Sequence, residues 1–387
     1  MTFRPFTLAA CAAAWLSFHP TAAQQPPVPA PASLPDRLQS KFEELHKAGN
    51  FPGGTAAVAL DDGTVVSLAV GVSDRSAGTP MQPTDRLLLG SVGKTYASAV
   101  ALLLVQDGKI GLDDPISKWF GKEAWFPRLP NGPTVTVRHL MTHTSGLVRY
   151  ELNPKFTADL TASPDKVWSG EDRLAYLLDA TPPFAPGAGW EYSDTNYIVL
   201  GMIVERAGGA SYYDQLRRRI LGPHKLQDTI PVESRTVPGL VQGYAGANNP
   251  FGGSDEMIRD GKFAVNPQFE WTGGGLAVTA PDLARWAKLL YEGRVLAPDT
   301  MKELLTGVPA RLGPETRYGL GVIIRPTAHG VTYGHSGFMP GYQTDVMYFP
   351  ELKVAIAVQV NSSAPRSTGR PLAWFVTEFA AIVKSAR

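Results

Sequence analysis

Residues 87–100, LLLGSVGKTYASAV, contain the pattern on which the interpretation of the whole chain depends. The tripeptide GKT at residues 93–95 resembles the end of a nucleotide-binding phosphate loop. Such a loop needs a glycine five positions before its Gly-Lys pair, so that backbone N–H groups can surround the phosphates. This chain has Leu88 at that position. The spacing therefore excludes the phosphate loop.

The same stretch also contains an S-x-x-K pattern at residues 91–94. Residues three apart on a helix share a face, which would place the Lys94 amine beside the Ser91 hydroxyl. A neighbouring lysine is one way to activate a serine nucleophile. Ser163 and Lys166 repeat the pattern, but Ser163 precedes Pro164, which is typical of a residue that caps a helix N-terminus. Ser91 is therefore the candidate nucleophile.

Composition restricts the class of protein. The chain has 387 residues, of which 44% are hydrophobic and 18% charged, as in a globular protein with a sizeable core. Its 36 basic residues nearly balance its 35 acidic residues, so it lacks the charge excess of a nucleic-acid-binding protein. We expect a small-molecule or peptide substrate and no nucleic acid; the sequence leaves the oligomeric state open.

The N-terminal residues are typical of a secretory signal peptide over residues 1–23. Arg4 precedes an apolar run at residues 6–18, and small residues end at Ala23. Residues 24–35 form a proline-rich linker. We therefore expect an exported protein, periplasmic or secreted, with no transmembrane segment in the mature chain. Cys11, the single cysteine, ends a box that resembles a lipoprotein cleavage site, which is the alternative.

Hydrophobic periodicity predicts strands near both ends of the chain and helices between them. The predicted strands cover residues 55–60, 64–70, 343–349 and 353–360, and the predicted helices cover residues 36–48, the apolar run from Ser91 to Gly108, a segment from Thr279 and a last segment from Pro371. We therefore predict a sheet completed by both termini, with a helical insertion.

Two further motifs follow Ser91 in chain order. Tyr192, Ser193 and Asp194 occur in PGAGWEYSDTNYIVLG, and residues 335–337 form His-Ser-Gly in YGHSGFMPGY. With S-x-x-K they resemble the S-x-x-K, Y-x-N and K/H-[ST]-G motifs of class C β-lactamases and D-alanyl-D-alanine carboxypeptidases. That penicillin-binding-protein-like superfamily also holds esterases and D-amino-acid peptidases. The similarity extends from about residue 36 to the end, through segments such as GKIGLDDPISKWF and GGGLAVTAPDLARW.

The resemblance implies an α+β fold of the β-lactamase and DD-peptidase type. An antiparallel sheet built from both chain ends would be flanked by helices and joined to a helical insertion. The hydrolase domain would span residues 36–387, with an α/β lobe at about 36–90 and 265–387 and a mainly helical lobe at about 91–264. It also implies an exported serine hydrolase that forms an acyl-enzyme on Ser91 and cleaves an ester, a D-amino-acid peptide or a β-lactam-like amide, without a metal or cofactor.

The resemblance assigns a role to each motif residue. Ser91 would attack a carbonyl, Lys94 and Tyr192 would share proton transfer, and His335 would complete the catalytic set. Backbone N–H groups of Ser91 and Phe338 would form the oxyanion hole. Ser336 and Gly337 would lie along a strand edge that binds the substrate. Cationic neighbours lower the pKa of a phenol, so we predict a lowered pKa for Tyr192.

Asp194 departs from the family pattern. If Tyr192 begins the Y-x-N motif, Asp194 replaces its asparagine; if Ser193 begins an S-D-N motif, Thr195 is the exception. An ionised aspartate has no hydrogen to donate to a substrate amide. His335 carries only a partial charge near neutrality, so we predict weak, pH-dependent anchoring of a substrate carboxylate.

Other catalytic patterns fit less well. His139 and His143 have the spacing of helical zinc ligands but lack the glutamate of a metalloprotease between them, so we interpret both as structural. The G-x-S-x-G motif of α/β-hydrolases would need a glycine at position 338, two residues after Ser336. This chain has Phe338 there, which disfavours an α/β-hydrolase. The alternative function is a non-catalytic relative that binds penicillin or cell-wall peptide. Retention of Lys94 and Tyr192 favours the enzyme.

Overall fold

The computed structural model describes residues 1–3 and 32–387. The predicted signal peptide, Cys11 and most of the linker lie outside the described residues. Residues 34–387 form one compact unit and contain every helix and strand given below. Within the described part of the chain, no helix combines the length and apolar character needed to cross a bilayer.

Most strands lie toward the two ends of residues 34–387, and a run of helices lies between them. The α-helices are α1 (Leu34–Ala48), α2 (Gly93–Gln106), α3 (Ser117–Phe120), α4 (Val137–Met141), α5 (Pro154–Ala162), α6 (Gly170–Leu174), α7 (Asp194–Gly208), α8 (Tyr212–Leu216), α9 (Ala280–Tyr291), α10 (Pro298–Leu305) and α11 (Leu372–Ser385). The strands are β1 (Gly53–Ala59), β2 (Val65–Asp74), β3 (Thr79–Pro80), β4 (Leu87–Leu88), β5 (Ile230–Pro231), β6 (Ile258–Arg259), β7 (Lys262–Phe263), β8 (Leu276–Val278), β9 (Val308–Pro309), β10 (Arg317–Tyr318), β11 (Ile323–Thr327), β12 (Gly330–Met339), β13 (Tyr342–Phe349) and β14 (Val354–Val360).

The main sheet joins the two ends of the chain, as predicted. Its strand order is β3-β2-β1-β14-β13-β12-β11-β10-β9, with antiparallel neighbours. β1 pairs with β14 so that Gly54 lies opposite Val360. The N-terminal hairpin therefore becomes part of the sheet only when the C-terminal strands are in place.

Both faces of the sheet are covered, which explains the continuous burial of β1. Alternate residues of a strand point to opposite faces. Ala56 and Val58 pack in a cluster with α1 and α11, whereas Ala57 and Ala59 pack in the larger cluster that includes α2 and α9. The helices from α2 to α8 follow the first strands in the chain, which confirms the predicted helical insertion.

The segment that carries Ser91 begins with a tighter turn than we predicted. Residues Gly90–Val92 form a 3₁₀ turn, and α2 starts at Gly93 and ends before Gly108. α2 is apolar nearly all round and is buried, as its sequence predicts. Ser91 therefore lies at the N-terminal entrance of a central helix, where the helix dipole favours negative charge.

The second S-x-x-K motif occupies a different place. We predicted that Ser163 caps a helix N-terminus, but it follows the last residue of α5, so that prediction is wrong. The next helix, α6, is instead capped by Ser169, which accepts a hydrogen bond from the Asp172 N–H. Lys166 donates to Asp172 at 3.0 Å. Ser163 is exposed, and the lysine of its motif is only partly buried.

Candidate active site

Ser91 and Lys94 lie side by side at the start of α2. The Lys94 side chain is fully buried, and its Nζ donates to Ser91 Oγ at 3.0 Å. It also donates to the Gly273 carbonyl at 2.8 Å and forms an ion pair with the Asp194 carboxylate. All three ammonium hydrogens thus have acceptors, one of them the candidate nucleophile.

Lys94 and Asp194 are both ionised. Burial by itself lowers the pKa of Lys94, but Asp194, Tyr192 and Glu270 outweigh it and raise that pKa above its ordinary value. Burial raises the pKa of Asp194, but Lys94 and Arg149 bring it below its ordinary value. Asp194 therefore keeps Lys94 in the ammonium form.

Tyr192 lies immediately before α7, with its ring centroid 5.0 Å from Lys94 Nζ. Its hydroxyl is buried and, within the described part of the chain, has no hydrogen-bond partner. Burial raises the pKa of the phenol above its ordinary value, and the opposing effect of Lys94 is smaller. The lowered pKa that we predicted for Tyr192 is therefore wrong, because desolvation outweighs the cationic neighbour.

His143 positions Tyr192 through its ring. The two ring centroids are 4.2 Å apart. His143 Nδ1 faces the Ser193 N–H at 3.2 Å and the Asn196 amide nitrogen at 3.0 Å, so it acts as an acceptor. Burial and the nearby Lys94 hold the pKa of His143 well below its ordinary value. This neutral imidazole fixes the backbone on which Tyr192 and Asp194 are carried.

His139, which has zinc-ligand spacing to His143 in the sequence, belongs to a different local structure. His139 Nδ1 accepts a hydrogen bond from the Thr136 N–H at 3.2 Å and closes the capping box of α4. The two imidazoles are thus engaged in different local structures. Among residues 1–3 and 32–387, no three His, Cys, Asp or Glu side chains are grouped so that they could hold a metal ion.

His335 lies on β12 with both ring nitrogens engaged. Nδ1 donates to the Ser336 carbonyl at 2.6 Å, and Nε2 accepts from the Tyr318 hydroxyl at 2.9 Å. Burial and the nearby Lys94 lower the pKa of His335 to about 3. The partial, pH-dependent positive charge that we predicted near neutrality is therefore wrong: His335 is neutral there.

Ser336 belongs to a charged network on the other side of β12. Its hydroxyl donates to Asp345 Oδ2 at 2.5 Å and accepts from the Arg325 guanidinium at 2.6 Å. Arg325 also contacts Asp345 Oδ1 at 3.2 Å. The hydroxyl is therefore fixed in orientation, and the Arg325 charge is balanced by a carboxylate.

Gly337 and Phe338 bring β12 against the turn that carries Ser91. A Cβ on Gly337 would lie 2.0 Å from the Leu89 carbonyl oxygen, so only glycine fits there. Gly90 has φ +55°, and a Cβ on it would lie 2.7 Å from the Phe338 nitrogen. This close approach places the backbone of Ser91 next to that of Phe338, as a two-donor oxyanion hole requires.

A strand edge remains open beside these residues. β11 pairs with β12 only as far as Gly334, which lies opposite Ile323. From His335 onward, β12 has β13 on one side and no described strand on the other. An extended substrate can therefore align along this part of β12.

Most of the predicted site residues line a pocket of about 680 Å³. Those that line it are Ser91, Tyr192, Asp194, His335, Ser336, Gly337 and Phe338. Lys94 is buried beside Ser91. Apolar side chains form much of the remaining wall, including Phe156, Phe251 and Phe269, and Leu152 and Phe338 are exposed by 65% and 58%. The pocket can thus hold a substrate with a sizeable apolar group.

The sequence did not single out four charged residues in the same pocket: Arg149, Glu151, Glu270 and Arg325. Arg149 and Glu151 form an ion pair at 2.6 Å in the loop before α5. Glu270 precedes Trp271, a buried residue with φ 39°. The sequence feature that could have identified Glu270 is a charged residue between two aromatic residues, Phe269 and Trp271, shortly before the glycines at 273–275. Arg149 and Glu151 offered none.

Comparison with known proteins agrees with this geometry. The family model described as Beta-lactamase matches residues 38–381. Esterase EstB of Burkholderia gladioli is 30% identical over 346 residues, covering 80% of this chain and 88% of the esterase. Penicillin-binding protein 4* of Bacillus subtilis (strain 168) is 27% identical, covering 79% of this chain and 67% of that protein. D-amino acid amidase from Ochrobactrum anthropi SV3, solved with D-phenylalanine, superposes with a TM-score of 0.79 at 26% identity, covering 92% of this chain and 99% of the amidase.

The family match covers nearly all of the unit that contains the sheet, the central helix and the pocket. The esterase and amidase are similar over most of their own lengths, so the likeness covers whole enzymes rather than one motif. The chain therefore belongs to the β-lactamase family, and it is a serine hydrolase of that superfamily.

Proposed function

We propose that the protein hydrolyses small esters or short amides through an acyl-enzyme on Ser91. The observation that carries this proposal is the 3.0 Å contact between Lys94 Nζ and Ser91 Oγ beside a pocket of about 680 Å³. The similarity to an esterase and to a D-amino acid amidase supports both substrate classes.

The chemistry requires two steps. Ser91 Oγ attacks the substrate carbonyl, the ester C–O or amide C–N bond breaks, and the hydroxyl proton passes to the leaving group. Water then attacks the acyl carbon, the bond to Ser91 Oγ breaks, and one water proton returns to Ser91 Oγ as the acid is released. The N–H groups of Ser91 and Phe338 would stabilise the oxyanion in both steps, each typically worth about 10²–10³ in rate.

Tyr192 is the group we propose to relay the Ser91 proton. Because its pKa is raised, Tyr192 is a neutral phenol, and its oxygen accepts the Ser91 proton as it passes its own proton to the leaving group. Lys94 is already an ammonium ion, paired with Asp194, so it has no free lone pair. The Tyr192 hydroxyl makes no hydrogen bond with any described residue, and Lys94 favours its phenolate. Lys94 would therefore act mainly by stabilising negative charge on Tyr192 and Ser91 as the proton moves.

The charges of the pocket favour esters and short amides over β-lactams. His335 is neutral and the Arg325 guanidinium is paired with Asp345, so neither offers an uncompensated charge to a substrate carboxylate. Ionised Asp194 cannot donate to an acylamide side chain, as an asparagine would. The pocket therefore lacks both contacts that an anionic β-lactam with an acylamide group would use.

We predict that Asp194→Asn raises β-lactam acylation relative to ester hydrolysis by about tenfold, the equivalent of one added hydrogen bond. The amide supplies a donor and removes the charge that pairs with Lys94. The ratio of kcat/KM for nitrocefin to that for p-nitrophenyl butyrate measures the effect. If the unsubstituted enzyme already hydrolyses cephalosporins faster than nitrophenyl esters, this interpretation of Asp194 is wrong.

A panel of esters, D- and L-amino-acid amides, D-alanyl-D-alanine peptides and β-lactams tests the proposal, with Ser91→Ala as the blank. Hydrolysis that depends on Ser91 supports it. Stable binding without turnover of any compound would instead identify the alternative, a non-catalytic binder of penicillin or cell-wall peptide. Lys94 and Tyr192, which such a binder does not need, are both in place beside Ser91.

We also propose that the protein is exported. The charged start at Arg4, the apolar run and the small residues ending at Ala23 support this. We predict that the protein recovered from the periplasm or medium begins at or near Gln24, which N-terminal sequencing measures. A lipid on Cys11 would show a membrane-anchored protein instead, and an unprocessed N-terminus would refute export by this signal.

A further inference from the structure

Arg173, on α6, is a completely buried cation outside the pocket. A charge removed from water is costly unless hydrogen bonds compensate it. The guanidinium donates to four backbone carbonyls: Nη1 to Trp168 at 2.7 Å and Ser169 at 2.9 Å, Nη2 to Gln268 at 2.8 Å, and Nε to Phe269 at 2.8 Å. Arg173 therefore holds the backbone of two separate chain segments, 168–169 and 268–269, next to each other.

The second of these segments leads into a strained turn. Gln268 and Phe269 shortly precede Trp271, which is buried and has φ 39° and ψ −116°. These angles are close to those of the first central residue of a type II′ turn, a position dominated by glycine. A bulky residue keeps such a conformation only when its surroundings enforce it. The contacts of Trp271 therefore determine the shape of the turn.

Arg173 makes one of those contacts itself. Its guanidinium carbon lies 5.6 Å from the centroid of the Trp271 ring, within the range of a cation–π contact. The Tyr212 ring meets the same side chain edge-on, with centroids 6.3 Å apart. The Trp271 carbonyl accepts a hydrogen bond from the Gly275 N–H at 2.7 Å. Arg173 thus holds both the backbone before Trp271 and the Trp271 side chain.

The turn leads to the carbonyl that binds Lys94. Gly273, two residues after Trp271, accepts from Lys94 Nζ at 2.8 Å, and the same ammonium group donates to Ser91 Oγ at 3.0 Å. Between them, Thr272 Oγ1 donates to a backbone carbonyl of α7 at 2.7 Å. The three N–H bonds of an ammonium group keep fixed angles to one another, so a shift of the Gly273 carbonyl turns the group away from Ser91.

We propose that Arg173 is a positioning residue for Lys94: through the turn at Trp271 it keeps the Gly273 carbonyl in place, so that the ammonium group stays directed at Ser91. This inference rests on the proposed role of Lys94 in the acyl-enzyme mechanism. Misplacement of a catalytic group by about 1 Å can lower a rate by about 10². Arg173 therefore acts on the rate of acylation and not on the affinity of the pocket for the substrate.

Two substitutions of Arg173 test the inference. We expect Arg173→Met, which removes the charge and every donor, to lower the acylation rate constant for p-nitrophenyl butyrate by at least about tenfold. Arg173→Lys, which retains the charge and part of the donors, should lower it less. Stopped-flow kinetics gives this rate constant separately from the substrate dissociation constant, which should change by less than about twofold. The end point of fluorophosphonate labelling gives the concentration of folded enzyme.

Lys288→Met is the matched control. Lys288, on α9, is also a buried cation and donates to the Lys353 carbonyl at 2.8 Å. Lys353 lies in the turn after β13, whereas Gln343, which lines the pocket, lies at the start of that strand. We expect Lys288→Met to lower the melting temperature and to leave the acylation rate constant of the folded enzyme unchanged.

A positioning role also predicts that the effect depends on Lys94. In the double variant Lys94→Ala with Asp194→Asn, which leaves no unpaired buried charge, adding Arg173→Lys should change the acylation rate constant by less than about twofold. A residue that only supports the fold would lower that constant by the same factor in both backgrounds, and this result would refute the inference.

The remaining outcomes separate the inference from the proposed function. An unchanged acylation rate constant in both Arg173 variants, or a loss confined to substrate binding, would overturn the assignment while the proposed function stands. If Arg173→Met does not fold, Arg173→Lys and Trp271→Leu, which removes the ring and keeps the Arg173 hydrogen bonds, must both slow acylation. If the unsubstituted enzyme is not acylated at Ser91, the proposed function itself fails.

Discussion

Replacing Ser91 with alanine is expected to lower kcat/KM by at least about 10⁴ for every compound that the enzyme hydrolyses. The change removes the only atom that can form the acyl-enzyme in the proposed mechanism, and loss of a serine nucleophile is among the largest single effects known in hydrolases. Lys94, Asp194 and the pocket remain in place, so binding of the substrate is expected to persist. Steady-state kinetics and a direct binding measurement separate the two effects.

The second S-x-x-K motif provides the matched control for this prediction. Ser163→Ala is expected to have no effect on turnover, because Ser163 is exposed after α5 and Lys166 is engaged with Asp172. Mass spectrometry after fluorophosphonate or penicillin labelling should place one adduct on Ser91. An adduct on any other serine would contradict the mechanism.

The sheet and the central helix could be predicted because they depend on local patterns. The alternation in β2 and the apolar run after Ser91 each indicate one structure, and strands near both ends of the chain predicted a sheet completed by both termini. The turn at residues 90–92 could not be predicted. It depends on the approach of Phe338, more than 240 residues later in the chain, which forces Gly90 to φ +55°.

The motif residues of the pocket were predictable, but their protonation was not. Tyr192 and His335 are surrounded by groups that the sequence shows only at distant positions, and their burial decides the sign of each pKa shift. Glu270 escaped prediction for a related reason. A single glutamate has no motif, and its place in the pocket is visible only when the fold brings it beside Ser91 and Asp194.

Lys94 and Tyr192 are expected to act as one unit. Lys94→Ala and Tyr192→Phe should each lower kcat by at least about 10², the low end for a general base, and the double variant should be little worse than either single variant. The structural reason is that Lys94 already carries its proton and contributes by stabilising negative charge on Tyr192 and Ser91. In Tyr192→Phe the phenol oxygen is absent, so much of the negative charge that Lys94 can stabilise is absent as well.

The two substitutions disturb the fold differently, which shapes the experiment. Tyr192→Phe removes a hydroxyl that bonds to no described residue and keeps the ring against His143, so its melting temperature should change little. Lys94→Ala leaves the buried Asp194 carboxylate without its partner, which is strongly destabilising, so Lys94→Ala with Asp194→Asn is the folded substitute. Kinetics of the unsubstituted enzyme, of the replacement at each position and of the two replacements combined then measure the coupling between Lys94 and Tyr192. Losses that multiply fully would show that Lys94 and Tyr192 work separately, because two groups on one proton path cannot both impose their full cost when the path is already broken.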